Sequence, residues 1–257
     1  MGIAHLATPP NIPDRGPAPV PDTKPATRGR VLAIVYLVVI ILGVIAQAFI
    51  ADRLVVTGDA AKTASNILGA RAVYQLGCTL FIIEMVAQVA VTAMFYDLLK
   101  PVGRRLARFG AVMGFVGAGI KMFARVFYYA PLILLGGANY LSTIGPAQLA
   151  TLSLVSIRIN NQAAGIALVF FGVETIMFGW LMYRAGFLPR FLGVISMIGG
   201  LGWLTFIWPP LGSKAFILVA PFAIVGVMVT AGWLLFRGID NRAWYERVTR
   251  MQAMREV

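Results

Sequence analysis

The chain has 257 residues, of which 59% are hydrophobic and 12% charged, with a formal net charge of +12. Soluble domains carry roughly 25% charged residues, and a water-soluble fold of this size could not hide so much apolar surface. The basic residues lie in clusters between apolar runs and in the tails, not along one polar face, which reads against a nucleic-acid partner and for a membrane protein.

Two scarce residue types narrow the chemistry. One cysteine, Cys78, leaves no CxxC pair and no intrachain disulfide, and the one histidine, His5, leaves no bis-histidine haem, HExxH helix or Ser-His-Asp triad. The eleven methionines are scattered without a repeated ligand spacing and read as packing. The expectation is a protein with no metal, no cofactor and no enzymatic activity.

Residues 1–30 hold seven of the fourteen prolines and too little apolar content to pack, so they are expected to form a disordered, partly polyproline cytoplasmic tail. The apolar run after Arg30 is span length without a small-residue cleavage site, unlike a signal peptide. An all-α transmembrane domain is expected over 31–236. A spanning helix needs about 20 mostly apolar residues, and six stretches qualify: Val31–Ile50, Ala72–Leu99, Phe109–Leu135, Ala163–Tyr183, Phe191–Trp208 and Ala215–Phe236.

Between the first two spans, Thr57-Gly58-Asp59 is a helix-start signal ahead of residues 60–68. Between the third and fourth, Gly145-Pro146 precedes residues 147–159 in the same way. Apolar residues in both segments predict short helices lying in the interface. The basic stretch 237–257, with Trp244, Tyr245 and Val248 interleaved, predicts an amphipathic cytoplasmic helix resting on anionic lipid.

Counting Lys and Arg outside the spans gives fifteen in the tails and the 100–108 and 184–190 loops, against five on the opposite side. The positive-inside rule therefore places both termini in the cytoplasm, with the inner (plasma) membrane as the location and anionic lipids as partners of the basic loops.

Four ionisable residues lie inside the spans: Glu84, Lys121, Arg125 and Glu174. Each would cost roughly 2.5 kcal/mol or more at the centre of a lipid-facing helix, so they are expected to face protein or water. Counted from the span starts, Glu84, Lys121 and Glu174 fall near one depth, with Arg125 one turn further out. Two charges of each sign could then neutralise one another. Lys121 and Arg125 continue a stripe of small residues, Gly110, Gly114 and Gly117, of the kind that lets helices approach closely. Gln88 shares a face with Glu84.

Thr57-Gly58-Asp59-Ala60-Ala61, with Ala64, Asn66, Ile67 and Leu68, resembles a block of a bacterial membrane-protein family. So does Phe170-Phe171-Gly172, with Gly179 and Tyr183, running into Gly186-Phe187-Leu188-Pro189-Arg190-Phe191-Leu192-Gly193. That family is catalogued as a domain of unknown function, number four thousand three hundred and eighty-six. The likeness covers about residues 28–238 and implies a six-span integral membrane protein, without implying a reaction. Members of that family often carry His or an apolar residue at the position of Glu174, and a Gly-Glu pair where this chain has Gly226-Val227, so the charged cluster is a departure from the pattern.

An intramembrane enzyme is the least supported reading, since no histidine or second cysteine is available in the spans and no Ser-Lys pair stands out at matching depth. That leaves two functional readings. In one, the charged cluster binds or moves a small solute or a proton. In the other, the protein is an accessory or scaffold subunit of a larger membrane complex, and the cluster only fixes helix register.

Overall fold

The computed structural model describes residues 24–253. Most of the proline-rich segment read as a tail, and residues 254–257, lie outside the described residues. Six helices are long and apolar enough to cross a membrane: α1 (Pro25–Leu54), α3 (Arg71–Leu99), α4 (Arg104–Leu134), α5 (Pro146–Ala185), α6 (Arg190–Ile207) and α7 (Pro209–Phe236). Among the described residues two shorter α-helices, α2 (Ala60–Gly69) and α8 (Asn241–Ala253), and a 3-10 turn at Asn139–Leu141 accompany them. The described residues contain no strand.

The helix starts follow local chemistry. Pro25, Pro146 and Pro209 open α1, α5 and α7 at the position where a missing N–H costs nothing. The first helix thereby takes in residues 25–30, which composition alone had assigned to the tail. Asp59 caps α2, its carboxylate accepting from the Lys62 N–H at 2.8 Å. Gly186 ends α5 at φ 80°, a left-handed conformation that a side chain would strain.

The predicted segment at 147–159 is not a separate interfacial helix. It is the N-terminal part of α5, which runs unbroken for 40 residues, roughly 60 Å at 1.5 Å per residue. Asn160, Asn161 and Gln162 look like a polar break, yet none of them forbids helical backbone, and buried Asn160 serves a neighbouring helix. Helix α2 stands where the first external helix was expected, with Thr63 and Ile67 buried against the protein.

Each spanning helix packs against its neighbours in the chain, and α7 returns to pack against α1, so the six close into a ring. Glycines set the closest approach. Gly172 and Gly179 on α5 face Gly200 and Gly193 on α6, seven residues apart on each helix. A Cβ at Gly200 would meet the Gly172 carbonyl at 2.7 Å, and one at Gly179 would meet the Gly193 carbonyl at 2.9 Å. Small residues allow such backbone contact where lipid supplies no hydrophobic drive between helices.

Two apolar clusters fill the ends of the ring. One, around Leu32, Leu99, Leu181, Leu234 and Trp244, lies at the end that carries the termini. The other, around Tyr74, Phe81, Tyr128 and Ile157, lies towards the opposite end. Helix α8 turns its apolar side to the bundle. Trp244 is buried and donates from Nε1 to the Leu98 carbonyl at 3.1 Å, and Arg247 donates to the carbonyls of Arg184 and Ala185 at the end of α5. Asn241 accepts from the Ala26 N–H at 2.9 Å, tying α8 to the start of α1.

Candidate functional site: a central cavity with two carboxylates

A cavity of about 170 Å³ lies inside the ring, and all six spanning helices contribute to its wall. A water needs roughly 15 Å³ of such space, so several waters or a small polar solute fit. Glu84, Gln88, Lys121 and Glu174 all line it.

The polar groups are arranged in levels along α3, whose residues Glu84, Gln88 and Thr92 recur every four and so share one face. At the first level Lys121 Nζ donates to Glu84 Oε1 at 2.7 Å, a largely buried ion pair between α4 and α3. Gly43 on α1 makes room for that carboxylate, since a Cβ there would sit 3.2 Å from Glu84 Oε1. Glu84 Oε2 is buried and has no protein partner.

Two turns along α3, Thr92 Oγ1 donates to Glu174 Oε1 at 2.6 Å. Glu174 is only 5% exposed and has no Lys or Arg at ion-pair distance among the described residues. Gly114 on α4 leaves the space that its carboxylate occupies. Gln88, one turn from both Glu84 and Thr92, lines the cavity between the two carboxylates.

Glu174 therefore does not join the ion pair at a shared depth. Thr92 lies eight residues from Glu84, and Gly114 seven from Lys121, which at 1.5 Å per residue separates the two carboxylate levels by roughly 10 Å. The depth count failed because it started at Ala163, whereas α5 begins at Pro146.

Arg125 stands one turn beyond Lys121 and outside the cavity wall. Its guanidinium lies 3.6 Å from the centre of the Phe81 ring, and Nη1 donates to Asn160 Oδ1 at 3.1 Å. A cation over an aromatic face gains electrostatically, more so where water is excluded. Tyr74 and Tyr128 stack beside it, with the Tyr74 hydroxyl donating to the Tyr128 carbonyl at 2.6 Å. The four ionisable groups thus form one ion pair, one guanidinium on neutral partners and one carboxyl group met by a threonine hydroxyl.

The glycine stripe on α4 faces α5. Gly110 packs on Met177 and Phe178, Gly114 on Glu174, and Gly117 on Phe170, Phe171 and the Ala167 carbonyl. Sequence reasoning missed three contributors. Thr92 was visible in principle as the next member of the Glu84, Gln88 series. Asn160 was hidden by the misread start of α5, and Gly43 carries no signal of its own.

The sequence model named "Domain of unknown function (DUF4386)" matches residues 31–238. The chain belongs to the DUF4386 family. It is also 28% identical over 71 residues to an uncharacterized protein of Archaeoglobus fulgidus, an alignment covering 27% of this chain. The chain spans 43% of that relative's length. No solved structure matches. With six helices long and apolar enough to cross a bilayer, this DUF4386 member fits a multi-pass membrane protein by length and composition.

Proposed function

We propose that this DUF4386 protein binds and moves a proton or a small polar solute through the central cavity. It does so as a non-enzymatic component of the bacterial inner membrane with both termini in the cytoplasm. The observation that carries the reading is the pair of carboxylates at two levels of one cavity, of which only one has a cation. A carboxyl group without a fixed counter-ion can change its charge state without stranding a partner, which suits proton exchange. Glu84 is held by Lys121, so a second state would need Lys121 to move. Gln88 offers both a donor and an acceptor between them.

The orientation rests on the excess of Lys and Arg in the loops and tails of the terminal side. The test is proton flux into liposomes containing the purified protein and a trapped pH-sensitive dye, with the membrane potential clamped. Glu174→Gln preserves the hydrogen bond from Thr92 and the side-chain volume, so it should insert and melt like the wild type while losing flux. Wild-type flux in that folded variant would remove the transport reading.

A further inference from the structure

The geometry points to a binding site for an anionic phospholipid headgroup on the outer wall of α5, α6 and α7, at the end that carries the termini. Three arginines emerge there, each laid over an aromatic ring. Arg184 lies 5.9 Å from the centre of Trp180, Arg190 5.7 Å from that of Tyr183, and Arg237 6.0 Å from that of Trp233. The rings are themselves linked. Trp180 stacks on Tyr183 at 6.0 Å, and Phe191 meets Trp233 edge to face at 5.7 Å, so the patch runs across all three helices.

All three arginine side chains are exposed. A ring beneath a guanidinium steadies its stem and leaves the edge N–H groups turned outward, in the fork that matches two phosphate oxygens. No carboxylate competes: residues 180–191 contain no Asp or Glu. The nearby acids of the terminal segment are engaged elsewhere, with Asp240 accepting from the Ala243 N–H and Glu246 from Arg242.

A second feature fits a lipid better than a soluble anion. Phe191, Val194, Ile198 and Leu201 are exposed at three- and four-residue spacing on α6. They form an apolar track leading from the arginines along the membrane-facing side, the path an acyl chain below a bound headgroup would take. Helix α8 does not compete for this role, because its tryptophan is turned into the bundle.

The full-length protein, stripped of lipid and returned to defined mixtures of phosphatidylglycerol and phosphatidylcholine, tests this by native mass spectrometry. The wild type should retain phosphatidylglycerol in preference to phosphatidylcholine. R184Q/R190Q/R237Q should weaken that retention by on the order of a hundredfold. R104Q/R105Q/R108Q removes the same charge from the start of α4 on the same side and should keep it. R190Q alone, a milder change at one exposed side chain, should lower retention in the same direction. An equal loss in both triple variants would show diffuse attraction to a basic surface and overturn the site, as would no loss in either. Retention of inorganic phosphate in place of lipid would equally overturn the lipid assignment.

Discussion

The two ends of the polar column inside the ring handle charge differently. At the end away from the termini, called outer for short, two cations and one carboxylate share the space: Lys121 is paired with Glu84, and Arg125 is enclosed by Phe81 and Asn160. At the end nearer the termini, called inner, one carboxylate meets a threonine hydroxyl and the same cavity. The outer arrangement pairs its carboxylate with a cation, although Glu84 Oε2 stays without a protein partner, and reads as fixed. The inner one leaves a titratable group facing space with no opposite charge to hold it. The contrast separates the groups that keep helices in register from the group able to change state.

Lys121→Met attacks the outer end most directly. It leaves Glu84 as a buried carboxylate with no cation, and breaking a buried pair in this way costs about 3–5 kcal/mol. Adding Glu84→Gln to the same chain should restore much of that loss, because the stranded charge is gone. Thermal unfolding in detergent of the two single variants and the double variant gives the coupling. Additive losses would mean that the 2.7 Å contact is not an energetic pair.

Arg125→Met should cost less, about 1–3 kcal/mol, since it leaves an amide oxygen on Asn160 rather than a charge without its partner. Methionine also keeps contact with the Phe81 ring. A loss as large as that of Lys121→Met would place Arg125 in the ionic network and erase the distinction between it and Lys121.

What the sequence disclosed follows the same division. The spans were legible because lipid demands runs of apolar residues, a requirement local to each segment. The buried faces of α3 and α4 were legible because helical spacing puts Glu84 beside Gln88 and Lys121 above Gly117. Depth was not, because it depends on where a helix begins, and Pro146 starts α5 well before the apolar run that marked its span. A span start placed at Ala163 left Glu174 two turns from its observed level and Asn160 outside the span. The ring closure of α7 on α1, and the burial of Trp244, depend on contacts between distant parts of the chain that no local pattern records.

Two glycines on one helix refine the inner end with the smallest perturbations. At Gly114 an added methyl falls on the Glu174 carboxylate, and at Gly119 it meets nothing within 4 Å. The carboxylate is the far end of a flexible side chain, so Gly114→Ala should push it away from Thr92 while the helices stay packed, with stability lowered by about 1 kcal/mol for the lost hydrogen bond. Gly119→Ala faces open space and should change neither stability nor flux beyond about 0.5 kcal/mol or its equivalent in rate. Measured together in liposomes, the pair isolates the position of Glu174 from its presence. If Gly114→Ala lowers flux and Gly119→Ala does not, the hydrogen bond to Thr92 sets the working geometry. Equal flux in both would mean that the carboxylate tolerates displacement, and that the inner level needs an acid but not this placement of it.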